Sequence, residues 1–305
     1  MDLRQLNALL AVADRGSFSA AARALHTVQS NVSTHVARLE KELGATLIDR
    51  ATGTLTAEGE VVVARARRVQ GELEALTADV ASLHSEVAGS VRVGVIGTTA
   101  RWLVPQLMQA MPERHPRVHV VIVDATTTSL VPQLEAGRLD VAIVNLPVTD
   151  PDLVVEALFE EDHVLVVPDG DPLAGHESVA LRDLADRPLL LEPQGTGFRD
   201  HLDLQAAAAG IELRPQAEVD GVRLLASLAF QGFGAAILPA SAIAHGQPGL
   251  WHRVSVKDLD RRAVGVARRR KGLLSAPARA LLEVVSAIIA EGDVEPGIYP
   301  CPPAA

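Results

Sequence analysis

The residues whose types and spacing could do chemistry fall in two places: one predicted helix face near the N-terminus and three short threonine-bearing turns farther along. Gln29, Ser30, Ser33, Thr34, Arg38 and Lys41 recur at helical spacing, so a helix over this stretch presents them together. A glutamine amide can bond an adenine edge through two hydrogen bonds, and small hydroxyls suit base edges or phosphates. An ordinary solvated face of an amphipathic helix has the same composition, so this face alone leaves both readings open. The three turns are Thr98-Thr99, Thr126-Thr127-Thr128 and Gly195-Thr196-Gly197-Phe198. Each follows a predicted strand and opens a predicted helix, where free N–H groups point outward and attract anions. Each also reads as a plain N-cap. Three such turns at equivalent strand ends favour a cleft for a small anion. Arg101 and Arg199 are candidates to pair with a carboxylate, and Gln194 and Asn145 are further candidates.

The elements that must hold these groups follow from periodicity and from turn residues. Asp2-Leu3-Arg4-Gln5 predicts a capping box, with Leu3, Leu6, Leu10 and Ala13 on one helical face and Gly16 as the stop. Ser17 is placed to cap a small helix over residues 18–25, whose Ala20, Ala21 and Ala24 permit close packing. Thr27 is expected to cap a third helix running to Leu43, with Val32, Val36, Leu39 and Leu43 inward and Gly44 at its end. Residues 45–50 then predict a strand, 51–54 a turn and Leu55-Thr56 a return strand. That combination is a winged helix-turn-helix, the usual way to place one helix in a DNA groove. From Ala57 to Ala88 the residues Val62, Ala66, Val69, Leu73, Leu76, Val80, Leu83 and Val87 alternate spacings of four and three. Such a heptad seam predicts a helix of roughly 45 Å that pairs with a second chain. Gly89-Ser90 marks a boundary, after which strands and helices alternate with short connections, predicting parallel sheets in two lobes.

Composition excludes several classes. A formal charge of −10, and six Lys and Arg against seven Asp and Glu over residues 1–60, make a broad basic surface impossible. Any DNA contact must rest on a few placed groups, with weak non-specific binding. One cysteine, Cys301, allows no disulfide framework and no two-thiol switch. The ten His lack metal-ligand spacing, and no GxSxG, P-loop or paired catalytic carboxylates support an enzyme. Gly232-Phe233-Gly234 lacks the strand–turn–helix context of a dinucleotide loop, and Arg268 to Lys271 reads as a solvated turn. The absence of an export signal or a membrane span predicts a cytoplasmic protein that binds no membrane.

Gly16-Ser17-Phe18-Ser19-Ala20-Ala21-Ala22, Leu25-His26, Gln29, Ser33, Arg38-Leu39-Glu40, Leu43-Gly44, Leu47, Arg50 and Leu55-Thr56-Ala57-Glu58-Gly59 together resemble the LysR-type transcriptional regulators. The resemblance runs to about Glu291 and is densest before residue 60. It implies a DNA-binding domain over 1–58, a dimerisation helix over 59–88 and an effector domain over 89–292. The effector domain would be periplasmic-binding-protein-like, with lobe I over 89–163 and 267–292, lobe II over 164–266, and a disordered tail over 293–305. DNA-facing residues would be Ser17, Gln29, Ser30, Ser33, Thr34, Arg38 and Arg50; effector-facing residues would be Thr98, Thr99, Thr127, Thr196, Gly197 and Phe198. The implied partners are promoter DNA with an interrupted palindrome, a small-molecule effector, a homodimer that pairs into a homotetramer, and RNA polymerase; no cofactor is implied. Two departures stand out. Val28 and Ser30 flank Gln29 where the family has Ser or Thr before Gln-Pro, and the wing is short and lacks basic residues. The rival reading is a solute-binding or catalytic two-lobed protein whose N-terminal helices only oligomerise.

Overall fold

A computed structural model describes residues 1–84, 87–243, 250–291 and 296–302. The chain begins with α1 (Leu3–Arg15), whose N-terminus carries the expected box: Asp2 Oδ1 accepts from the Gln5 amide at 2.9 Å and Gln5 Oε1 from the Asp2 amide at 2.8 Å. Gly16, at φ 69°, ends it in the left-handed region that glycine adopts freely. Ser17 caps α2 (Phe18–Ala24), and α3 runs Gln29–Leu43. The expected Thr27 cap does not form. α3 opens one residue later than that cap requires, so Val28 is the N-cap and the Thr27 hydroxyl instead accepts from Asn31 Nδ2 at 3.0 Å. Leu6, Leu9, Leu10, Val12, Ala21, Ala22, Val32, Val36 and Leu39 form one buried core. Burial of each leucine there contributes about 1.5–3 kcal/mol. Leu3 and Leu43, expected inward, are exposed because their helices extend past that core.

The wing is slighter than expected. Instead of two strands there is one bridge, Ile48 to Leu55. The Glu40 carboxylate accepts from the Leu47 and Ile48 amides at 2.9 and 3.3 Å, so these donors are satisfied without a ladder. The Thr56 hydroxyl then accepts from the Gly59 amide and donates to the Thr46 carbonyl, starting α4 (Ala57–His84). Gly59 is required by contact: a Cβ there would sit 2.0 Å from the Leu47 carbonyl oxygen. Along the seam Ala66 is buried under the N-terminal domain, whereas Val69, Leu73, Leu76 and Val80 are exposed. The Leu83 side chain lies outside the described set. On another face, Asp79 accepts from the Ala276 amide at 2.9 Å and pairs with Arg279 at 3.0 Å, docking α4 onto the following domain.

That domain begins with β1 (Ala88–Val95), α5 (Gly97–Arg114), β2 (Arg117–Asp124), α6 (Thr127–Glu135), β3 (Val141–Asn145) and β4 (Leu153–Glu161). After one residue, Asp162, the chain enters a second sheet with β5 (His163–Pro168), β6 (Ser178–Val179), β7 (Pro188–Leu191), α7 (Gly197–Ala208), β8 (Arg214–Glu218), α8 (Val222–Phe230), β9 (Ala235–Pro239) and β10 (Trp251–Val256). It returns through β11 (Arg262–Arg269), α9 (Ala276–Glu291) and β12 (Ile298–Pro300). The sheet orders are β12-β4-β11-β3-β1-β2 and β6-β10-β5-β9-β7-β8.

Four expectations need correction. The sheets are mixed, because the crossing strands β4, β5 and β11 run antiparallel to β11, β9 and β3 respectively. The lobe boundaries shift: β11 belongs to the first sheet from Arg262 onward, and His163 already lies in the second. A charged residue at a strand start had hidden the first shift. The tail is partly ordered, since Ile298, Tyr299 and Pro300 pair with Glu161, Glu160 and Phe159. Residues 293–295 and 303–305, and the expected boundary at 292, lie outside the described residues. The basic run is not a solvated turn either: Arg269 donates to the Leu134 and Leu139 carbonyls, and Arg270 to those of Pro151 and Leu153.

His163, 1% exposed at the start of β5, packs against the rings of Phe198 and His201 on α7, with centroids 5.6 and 5.4 Å away. Its Nδ1 donates to the Asp260 carbonyl at 2.9 Å. Burial pushes the imidazole down to about 4. The unfolded chain therefore takes up a proton first, so this stability is present above the unfolded value of 6.5 and lost as pH falls toward 4. The loss across that window should be on the order of 3 kcal/mol. Urea unfolding of the second lobe at pH 7 and pH 4.5 measures it, and the difference between the parent and His163→Phe isolates this imidazole's share.

Candidate nucleic-acid interface and inter-lobe site

The α3 face is exposed as expected at Gln29, Ser30, Thr34 and Arg38, with Ser33 half-buried. Packing of α2 against α3 does more than support it. The Ser19 hydroxyl donates to Gln29 Oε1 at 2.9 Å, which orients the amide. The Thr34 hydroxyl turns back to the Ser30 carbonyl at 2.7 Å. Arg50 lies over Phe18, 5.7 Å from the ring centroid, and donates to Ser33 Oγ and Glu40 Oε2 at 3.3 Å each. It thus braces the end of the wing against α3. Ser17 is engaged as the α2 cap, its hydroxyl accepting from the Ala20 amide. Asn31, exposed one turn after Thr27, is a surface residue that heptad and cap patterns did not single out.

In the second region the expected threonines separate by role. Thr98 is 5% exposed at the start of α5, and its Oγ1 accepts from Arg262 Nη2 at 2.7 Å. Thr127 Oγ1, at the start of α6, accepts from the Asn145 amide at 3.0 Å. A hydroxyl that accepts from the protein keeps its own proton to donate. Neither α5 nor α6 has a side-chain cap, so their first N–H groups are not satisfied by a cap either. Thr99 is fully buried, with no partner for its hydroxyl among the described residues.

Thr196 differs. It accepts from the Arg199 amide at 3.4 Å and donates to the Pro193 carbonyl at 3.0 Å, so its hydroxyl is spent as a helix cap. Gly197 opens α7, and Phe198 packs on His163. Arg199 does not point to solvent. It is 3% exposed and bonded to Asp203, Glu218 and the Glu192 carbonyl, which leaves it committed inside lobe II. Glu192 itself is buried, and desolvation pushes its carboxyl above the usual range. Gln194 is exposed on the same turn.

Two residues that sequence reasoning missed join the lobes. Glu161 ends β4 with no exposed surface, and Arg262 begins β11. Arg262 Nε donates to Glu161 Oε1 at 2.9 Å, and its Nη2 also reaches Ser241 Oγ at 3.2 Å. Glu161 Oε2 accepts from the Ser241 amide at 2.7 Å. Thr98, the two crossing strands and the end of β9 thus form one polar cluster. The available signal was charge: Glu161-Asp162 at the first crossing and Arg261-Arg262 at the second. Two more contacts span the lobes. Arg101 lies over the Phe230 ring at 5.3 Å, and Arg223 pairs with Asp124.

Comparison with known proteins agrees with both halves of this architecture. Residues 3–60 match the family described as bacterial regulatory helix-turn-helix protein, lysR family, and residues 84–288 match the LysR substrate binding domain. A probable hydrogen peroxide-inducible genes activator from Streptomyces viridosporus is 35% identical over 246 residues, covering 79% of this chain and 78% of the relative. A full-length OxyR from Pseudomonas aeruginosa superposes with a TM-score of 0.79 at 26% identity, covering 99% of each chain. Full-length CbnR complexed with its target DNA gives a TM-score of 0.69 at 25% identity, over 96% of this chain and 100% of that one. The chain belongs to the LysR family of helix-turn-helix transcriptional regulators.

Proposed function

We propose that this regulator binds promoter DNA as a dimer through α3 and responds to a small anionic effector held by lobe I at the mouth of the inter-lobe cleft. The observation that carries the effector reading is the pair Thr98 and Thr127. Both hydroxyls accept from protein N–H groups and have a proton left to donate, at the starts of two helices without side-chain caps. Such donors suit a carboxylate or phosphate. Residues 1–60 carry a net charge of −1, so DNA affinity rests on Gln29, Ser30, Ser33, Thr34 and Arg38 with little general attraction. The exposed stripe Val69, Leu73, Leu76 and Val80 is a continuous apolar seam suited to a second α4. Dimerisation supplies two reading heads for an interrupted palindrome, and pairing of dimers would extend the contact.

The peroxide response named for the Streptomyces viridosporus relative does not transfer as an intrachain disulfide. That chemistry needs two thiols, and these 305 residues hold one, Cys301. A ligand-driven change is the mechanism that the Thr98 and Thr127 donors suit. An effector moves the regulator only as far as it binds one lobe arrangement better than the other. Arg262 makes that difference available, because it bonds Thr98 on one lobe and Ser241 at the end of the other's β9.

Gel shifts with the DNA upstream of the regulator's own gene test the reading directly; no shift at any protein concentration would overturn it. Gln29→Ala should cost ~1–3 kcal/mol at the cognate site and much less on random DNA, whereas equal losses would assign Gln29 to the DNA backbone. Leu76→Asp places a charge in the seam and should lower the mass seen by light scattering while the lobes stay folded. An unchanged mass would show that α4 serves its own chain alone. For the effector, a thermal-shift screen of small carboxylates and phosphates identifies a ligand. Thr98→Val should then weaken binding at least tenfold, as loss of a hydrogen bond to a charged group worth ~1.5–3 kcal/mol requires. Wild-type binding by Thr98→Val and Thr127→Val together would reduce these threonines to structural roles.

A further inference from the structure

The C-terminal segment does not trail from the domain; it crosses the hinge. The two lobes are joined by single-residue economy at one side: Asp162 alone separates β4 from β5. At the other side Arg261 immediately precedes β11. Alternation along the strands puts Glu161 and Arg262 inside, where they pair, and leaves Asp162 and Arg261 on the outer face. The tail lies on that outer face. Tyr299 Oη donates to Asp162 Oδ2 at 2.9 Å, and the Arg261 guanidinium stacks 3.6 Å from the Tyr299 ring centroid. Arg261 Nε completes the triangle by donating to Asp162 Oδ1 at 3.0 Å. The backbone is tied as well. The Asp162 amide donates to the Gly297 carbonyl at 2.8 Å, and the Cys301 amide to the Leu158 carbonyl at 2.9 Å. Ile298 is 6% exposed in the lobe I core beside β4. Gly297, at φ +84°, comes so near the second lobe that a Cβ there would lie 2.6 Å from Arg253 Nη2 and 3.4 Å from the Ala240 Cβ.

Closure of two lobes is absorbed by backbone rotation at a few crossing residues. Here both crossing residues on the outer face are held to one side chain of the tail. We propose that residues 296–302 form a hinge strap, with Tyr299 as a positioning residue that locks Asp162 to Arg261 and so sets the balance between lobe arrangements. The strap acts on the outer face of the hinge, away from the inward Glu161–Arg262 pair that holds Thr98. Its effect is therefore independent of which ligand the cleft takes. Release of the tail frees rotation at both crossings at once, because Tyr299 touches both.

The experiment uses the full chain with Cys301→Ser and spin labels at Met108→Cys on α5 and Leu204→Cys on α7, both exposed positions on separate lobes. Labelled chain diluted with unlabelled chain gives the intramolecular distance distribution. Tyr299→Ala, and removal of residues 296–305, should broaden or shift that distribution relative to the parent. Hydrogen exchange should rise at least tenfold at both crossings, residues 160–164 and 259–263, and stay unchanged in α1 to α3. Tyr299→Phe keeps the ring on Arg261 and drops only the hydroxyl, so it should show a smaller change in the same direction even where the larger deletions fold poorly. An unchanged distance distribution in Tyr299→Ala and Tyr299→Phe would overturn the proposal. So would faster exchange confined to residues 158–161, which would show that the tail is only an added edge strand.

Discussion

A carboxylate with no exposed surface has to be neutralised where it stands, and in this regulator that requirement organises the join between the lobes. Glu161 meets Arg262 across adjacent strands, and both also bond Ser241. Pairs of this kind add little net stability over apolar packing, but removing one partner is costly, about 3–5 kcal/mol. The consequence is positional. The two crossing strands must run side by side in register, Arg262 to Glu161, or a charge is stranded. Thr98 is drawn into the same cluster by Arg262 Nη2, which also faces Glu161 and Ser241. The candidate effector residue and the hinge are therefore one hydrogen-bonded unit.

From that join a physical path leads toward the DNA-facing helix. Lobe I packs α9 and β1 against α4, and Asp79 on α4 accepts from the start of α9. α4 in turn packs Val63 and Ala66 into the N-terminal core and approaches Leu47 closely at Gly59. A long helix held at both ends transmits rotation better than a flexible linker. Small supports such as Ser19 on Gln29 and Arg50 on Ser33 brace a helix with little surrounding positive charge.

The places where sequence reasoning ran short share a cause. Thr27, Thr196 and Arg199 were each assigned by the local pattern of residue types. Thr27 misses its cap because α3 starts at Gln29, and no residue before it marks that start. Thr196 caps its helix and contacts Pro193, while Arg199 turns inward to Asp203 and Glu218. A cap and an anion site use the same N–H groups, so composition cannot separate them. Leu43 was placed inward by helical period, but the period says which face, not how far the neighbouring helix reaches.

What the amino-acid order alone determined was most of what near neighbours govern. The Asp2–Gln5 box, the glycine stops at 16 and 44, the Ser17 cap, the α4 seam and the alternation of strands and helices all arise from contacts within a few residues. Family membership was legible for the same reason, since the N-terminal motif is dense in caps, stops and close-packing positions. The tertiary structure decided which strands run antiparallel, where the lobes divide and which hydroxyls stay available. It also decided that Glu161, Arg262 and Tyr299 meet at the hinge, although Tyr299 lies 137 residues from its partner Asp162. Such contacts depend on chain closure over long separations and on burial, and neither leaves a periodic trace in the sequence. A charged residue that will be buried looks, in the sequence, like any charged residue at the surface; only its partner across the fold makes it otherwise.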